Sequence, residues 1–389
     1  MSSTPQMDDH TIDEQAASAE TLPYVEEPDW LDRAVAYVKP RRWIWISALV
    51  VAVLILVTIV RSVNGTVPLG TDPTTAGHPL SNPDQHLHSM ALDPTHPGVV
   101  YLGSHYGVFT STDDGKSWPQ PRGELNTLMI TSLSVSHLAQ GTLGLVGVAA
   151  IGNDVGVFIT HNDGAAWQRT SVPKGVPADQ QAYLILAGAS AHQWFTIYTT
   201  NGLYVTNDDG HTWQLLHAPI STQEDLHALW QSSANPQVML LGSNLGLYVT
   251  TNGGTSWQTI SGIIGVHAIA SSSASPAAVF VSADAGVYHS ADNGGTYILM
   301  SGLVAQGPFS TLVLSQQRAS VLYGLAGNEV WRSGDGGATW VQQKILETAS
   351  PSALLVAPNN DQHLYAGFYA PADAVESLDG GLSWHVIAS

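Results

Sequence analysis

The chain has 389 residues, 11% of them charged, with 12 Lys+Arg against 31 Asp+Glu and a formal net charge of −19. Nucleic-acid affinity comes mainly from cationic side chains that release counterions from phosphates, so this balance excludes a DNA- or RNA-binding role. Cysteine is absent, which removes disulfides, thiolate nucleophiles, Cys-type zinc sites and iron–sulfur clusters.

Residues 1–42 hold nine acids and four bases, and the bases (Arg33, Lys39, Arg41, Arg42) all fall in the last ten positions. The stretch before them is rich in Ser, Thr, Gln and Pro and has too few large apolar residues to offset the entropy of ordering, so it is expected to be a disordered acidic tail. A short juxtamembrane helix over 28–38, with Asp29 as its N-cap, fits the pattern that follows. Residues 43–60 carry no charge and open on Trp43 and Trp45. Eighteen residues at about 1.5 Å each span a hydrocarbon core, and tryptophans favour its interface. Residues 43–61 are therefore expected to form one transmembrane helix. Lys39, Arg41 and Arg42 precede it and only Arg61 follows closely, so the N-terminus is placed in the cytoplasm and the remainder outside. The segment begins too far into the chain for a cleaved signal peptide. Residues 62–84, with four prolines and three glycines, read as a linker. The lack of cysteine suits a bacterial envelope better than a eukaryotic ectodomain.

From residue 85 onward one octapeptide recurs, [Ser/Thr]-x-[Asp/Asn]-x-Gly-x-x-[Trp/Tyr]. Its third and eighth positions are Asp113 and Trp118, Asn162 and Trp167, Asp208 and Trp213, Asn252 and Trp257, Asp292 and Tyr297, Asp335 and Trp340, and Asp379 and Trp384. The aromatics stand 49, 46, 44, 40, 43 and 44 residues apart. A short Asp or Asn side chain closes a turn by accepting from backbone N–H groups, Gly supplies a conformation a Cβ obstructs, and the aromatic is an apolar plug. Each copy follows a strand-like step such as Gly107-Val108-Phe109, preceded by two further β-rich runs. Four strands per unit at this period predict an all-β fold, a seven-bladed β-propeller of four-stranded blades over residues 85–389. A parallel β-helix has shorter rungs. Strand exchange between residues 66–84 and the last blade stays open.

These octapeptides resemble the Asp-box (BNR) repeat of sialidases, xyloglucanase-type endoglucanases, the sortilin ectodomain and the photosystem II stability/assembly factor. The resemblance implies a structural turn at the blade periphery for each box. It implies a sialidase arginine triad and an Arg-Ile-Pro motif only if the chain follows that branch. After Arg61 the arginines are Arg122, Arg169, Arg318 and Arg332, none in Arg-Ile-Pro. A glycosidase needs two carboxylates flanking a cleft, and no pair stands out by spacing among Asp93, Glu124, Asp154, Glu224, Asp225, Asp284, Glu329, Glu347, Asp361, Asp373 and Glu376. Gly115-Lys116-Ser117 lies inside a box and lacks the earlier Gly of a phosphate loop. Asp113-Asp114-Gly115 and Asp208-Asp209-Gly210 lack the bidentate Glu of a calcium loop.

Aligning the first strand of each blade places His88, Thr131, Tyr183, His227, His267, Ser310 and Ser352 at one equivalent position. Imidazoles converging at a channel mouth have the chemistry to hold a divalent metal or a polar ligand. Against this stands a plain role in hydrogen-bonding channel water and backbone, and blade 1 is three steps from blade 5. His88, Tyr183, His227 and His267 are the candidate ligand contacts, with Trp230 as a sugar-stacking candidate beside Trp194 and Trp331. No cofactor is implied and no metal is assigned. The expectation is a membrane-embedded binding or scaffold module for a protein or glycan partner, with a carbohydrate-active enzyme as the alternative. After Arg61 there are seven Lys+Arg and 22 Asp+Glu, so a charged partner is expected to be cationic or bridged by metal.

Overall fold

Runs such as Val100–Ser104, Trp194–Tyr198, Met239–Ser243 and Leu322–Ala326 are buried at every residue. Strands covered on both faces read as continuous apolar runs, whereas the short strands after each octapeptide, such as Gln258–Ile260, are largely exposed. These two kinds of strand bracket a radial stack of sheets. The computed structural model describes Leu80 and residues 85–388, apart from 120–124, 126–127, 150–153, 178–179, 199–201, 222–223, 303, 305–306, 346–350 and 370–371. The expected tail (1–42), the transmembrane helix (43–61) and the linker (62–84, Leu80 excepted) lie outside the described residues. Among the described residues no helix is long and apolar enough to cross a membrane.

The protein is an all-β, seven-bladed propeller. Its blades span 87–111, 128–169, 182–216, 226–260, 268–301, 311–345 and 351–388, in chain order. Six sheets have four antiparallel strands paired in sequence order, and the first shows three among the described residues. The last blade is completed by its own chain, since His385–Ala388 pairs with Asp373–Ser377. The first strand of that blade, Pro351–Ala357, lies against the first strand of blade 1, Leu87–Leu92. The ring therefore closes by packing, with no strand exchanged among the described residues.

Among the described residues the core consists of seven clusters, one between each pair of neighbouring blades. Every octapeptide aromatic packs into one of them, against the blade before its own. Trp167 joins the seam between blades 1 and 2, and Trp118 the seam between blades 7 and 1. Leu80 also seals that last seam. The plug expected from sequence is thus a wedge between blades.

The turns follow one design. The first-position hydroxyl is buried in all seven and accepts from the fifth-position Gly N–H, as Thr206 does from Gly210 at 2.9 Å. It donates to the third-position side chain, as Thr206 does to Asp208 at 2.6 Å. That side chain also accepts from the seventh-position N–H, at 2.9 Å for Asp208 and Thr212. The fourth and fifth residues both have positive φ in every copy: Asp209 at 53° and Gly210 at 77°, for example. Every fourth-position N–H then donates to a carbonyl of the turn between the first two strands of its own blade or of the start of its second strand, as Asp209 does to the His192 carbonyl.

Candidate functional site

Antiparallel pairing puts the octapeptide turns and the loops between first and second strands at one end of the propeller. The starts of the first strands and the hairpins between second and third strands lie at the other end. The seven positions aligned from sequence all fall at that second end, and five of them mark an irregularity of register. In blade 1 the pairing passes from Leu87↔Ser104 to Ser89↔Gly103, leaving His88 unpaired. Thr131, Tyr183, His227 and Ser352 are skipped in the same way. His267 and Ser310 donate their N–H to Ser282 and Leu325, the residues that also face the next one in the strand. A β-bulge leaves one residue outside the ladder and re-aims its side chain. Where the aligned residue is Ser or Thr, its hydroxyl donates to the facing carbonyl: Ser310 to Leu325 at 3.2 Å and Ser352 to Gly367 at 3.2 Å.

The imidazoles divide into two groups. His227 and His267 lie side by side, ring centroids 5.8 Å apart, and His267 Nε2 stands 2.9 Å from Asp284 Oδ1. Burial lowers the His227 pKa, helped by the neighbouring His267, while Asp225 and Asp284 oppose the shift. His88 joins neither of them. It sits instead with His86, two residues earlier, and with His105, at the tip of the hairpin between the second and third strands of blade 1. One ring nitrogen of each of these three lies within 4.8 Å of the others, and they are the metal-capable group among the described residues. His86 Nδ1 and His105 Nε2 are 3.3 Å apart. His88 stacks on His105 with centroids 4.9 Å apart. Tyr369, from the second hairpin of blade 7, stacks flat on His86 at 4.6 Å and meets His88 edge-on at 5.1 Å. Burial, and then the charges of His105 and His86, hold His88 down to about 3, so it is a neutral ring at physiological pH.

The aromatic candidates are part of the core. Trp230 is 8% exposed, lies in the seam between blades 4 and 5 and donates to Ser271 Oγ at 2.7 Å. This corrects the sugar-stacking expectation, because its faces are taken by neighbouring side chains. Trp194 is fully buried and Trp331 packs between blades 5 and 6. Tyr183 is half-buried in the seam between blades 3 and 4, with its pKa raised by burial and by Asp225.

At the turn end, a cleft of about 400 Å³ opens between blades 1 and 2, lined among others by Asp93, Tyr101, Gln140, Asp163 and Trp167. Its two acids and its tyrosine are occupied. Tyr101 donates to Asp163 Oδ1 at 3.2 Å, and Asp93 closes a turn by accepting from Thr95 and His96. Other acids outside the octapeptides are also engaged. Glu224 accepts from Ser243 and Tyr248, both at 2.9 Å, Asp361 pairs with Arg318, and Glu376 stands 2.8 Å from His363.

No protein-family model and no curated protein matches the sequence. Solved structures match the fold. The GH74 xyloglucanase from Xanthomonas campestris is 15% identical with a TM-score of 0.63, over 78% of this chain and 54% of that one. YCF48 from Cyanidioschyzon merolae is 13% identical with a TM-score of 0.57, over 76% of this chain and 96% of that one. A YCF48 bound to D1 peptide is 16% identical with a TM-score of 0.57, over 75% and 93%. At these identities the likeness shows the fold alone, and this chain spans about half the length of the xyloglucanase.

Proposed function

We propose that the chain is a membrane-anchored, extracytoplasmic propeller of the Asp-box (BNR) type that binds a protein partner and holds it at the cell surface. The observation that carries this reading is the employment of its acids. Asp93, Glu224, Asp284, Asp361 and Glu376 each serve a turn, a hydroxyl or an ion pair, so none has the open partner across a cleft that hydrolysis of a glycoside requires. The likeness to YCF48 supports it too, because one such chain is solved with a D1 peptide bound and a single propeller makes up nearly all of it. The starts of the first strands and the described hairpins at the end opposite the boxes supply a loop surface for such a contact.

The second reading is a carbohydrate-active enzyme, favoured by the GH74 likeness and by Asp373, whose pKa burial raises in the sense a general acid needs. One experiment separates the two. The full chain, purified in detergent, is incubated with a polysaccharide panel under reducing-end detection, and in parallel crosslinked in its native membrane. We expect a discrete protein adduct and no sugar release. Sugar release abolished by Asp373→Asn would replace the binding reading with the enzymatic one, and a membrane preparation in which the chain is soluble would remove the anchor.

A further inference from the structure

The corner where the first strand of a blade begins beside its second hairpin is built alike in several blades but furnished differently. In blade 4 the corner residues are Asp225, His227 and Asn244, tied by the Asp225 N–H donating to Asn244 Oδ1 at 3.0 Å. In blade 5 they are Gly265, His267 and Asp284, tied by the contact between His267 and Asp284. In blade 1 all three are imidazoles: His86, His88 and His105. The blade 4 and blade 5 corners each contain a carboxylate, whereas the three residues of the blade 1 corner offer only imidazole nitrogens.

We infer that His86, His88 and His105 form a binding site for a divalent transition-metal ion of the zinc class. Two nitrogens bound to one tetrahedral zinc at about 2.0–2.1 Å stand about 3.3–3.4 Å from each other. The separation of His86 Nδ1 from His105 Nε2 is 3.3 Å. The third ring lies within 4.8 Å of both, so closure on an ion asks for a side-chain shift of about 1 Å. His88 Nε2 is buried without a hydrogen-bond partner among the described residues. Buried polar atoms are rarely left so, and an ion or a water is the usual explanation. Imidazole nitrogens select zinc, copper and nickel over magnesium and calcium, which take oxygen. The scaffold is suited to the task. The bulge turns His88 out of the ladder, Tyr369 stacks on His86 from blade 7, and Gln85 donates to Ser104 Oγ at 3.3 Å beside the hairpin that carries His105. The three rings are half-buried rather than sealed, so three protein ligands leave a fourth position for water or an anionic group. The site does not depend on the proposed binding role.

The test is a titration of the tag-free, metal-stripped full chain with Zn²⁺ alone, followed by calorimetry, with Co²⁺ as a visible-absorption probe of tetrahedral coordination. We expect one ion per chain, an affinity lowered at least ~100-fold in His105→Asn and in His88→Gln, and no change in the His227→Ala/His267→Ala double variant. Because a corner variant has the option of misfolding, a second measurement uses the unaltered chain. Zn²⁺ should protect the peptides holding His86, His88 and His105 from diethylpyrocarbonate, read by mass spectrometry, and leave the peptide of His227 reactive. Absence of stoichiometric zinc binding, or binding that leaves these three histidines equally reactive, overturns the inference and leaves a hydrogen-bonded imidazole pair.

Discussion

Asp208 shows what each octapeptide contributes. Hydrogen bonds from the Thr206 hydroxyl, and then from Thr212, hold its carboxyl down to about 2, and Asp292, Asp335 and Asp379 are held there in the same manner. A carboxylate whose folded pKa lies below its unfolded value of 3.8 stabilises the fold fully above that value. That contribution is lost as pH falls from about 4 towards about 2. Each of these aspartates is well solvated, so the single contribution is small and the acid sensitivity is a sum over turns. Asn252 indicates the remedy, since its Oδ1 accepts from the Ser256 N–H while its Nδ2 donates to Ser256 Oγ at 2.8 Å. Asp208→Asn should therefore fold with nearly unchanged urea stability at about pH 7 and lose less of it at about pH 3 than the parent. An identical fall in both proteins would place the acid sensitivity elsewhere. The third and eighth positions of the turn were legible in the sequence, but the fourth was read as free. It is Asp, Asp, Asp, Gly, Asn, Gly and Gly in the seven copies, the residues that tolerate a left-handed backbone, and that restriction was the available signal.

Among the elements, the wedge between blades carries the stability, and the wedges are not equivalent. Trp118 Nε1 donates to the Ile387 carbonyl at 2.8 Å, across the seam between blades 7 and 1. Trp257 fills the seam between blades 3 and 4, but its Nε1 is buried without a partner among the described residues. Replacing Trp by Phe removes an indole N–H in both places. In Trp257→Phe no bond is lost, whereas Trp118→Phe leaves the Ile387 carbonyl without its donor, a difference of about 1 kcal/mol. Trp118→Phe is thus expected to shift the denaturation midpoint further than Trp257→Phe, as equilibrium unfolding followed by far-UV circular dichroism would measure. Equal shifts would mean that packing alone sets the wedge. Alignment of the first strands found the start-of-strand position in every blade and the bulge in five, which is why His88, His227 and His267 stood out. It did not find the partners of His88. Those depend on how the hairpin tip folds back over the strand start, and the sequence shows only His86-Leu87-His88 and an isolated His105.

For the whole ring, closure is the feature that sequence periodicity does not determine. Six of the seven seams join blades that follow one another in the chain, so when one of them opens a short linker keeps its two faces near. The seventh joins residues far apart in sequence, as Trp118 and Ile387 are, 269 positions from each other. Opening that seam releases a far longer loop, and the entropy gained on release grows with loop length. Holding it shut are the first strands of blades 1 and 7, Leu80, the Trp118 bond and the Tyr365 hydroxyl, which donates to Asp114 Oδ1 at 3.3 Å. No exchanged strand ties the two blades among the described residues. The ring should therefore open first between blades 7 and 1. Amide hydrogen exchange is expected to run faster in peptides covering 87–111 and 351–388 than in those covering 182–260, and Tyr365→Phe should widen the gap without altering the central blades. If the His86–His88–His105 site takes up zinc, protection should rise in 87–111, and in 351–388 as well if the ion steadies the seam through Tyr369. Uniform exchange around the ring would mean that the seventh seam is as strong as the others and that loop length does not set the order of opening.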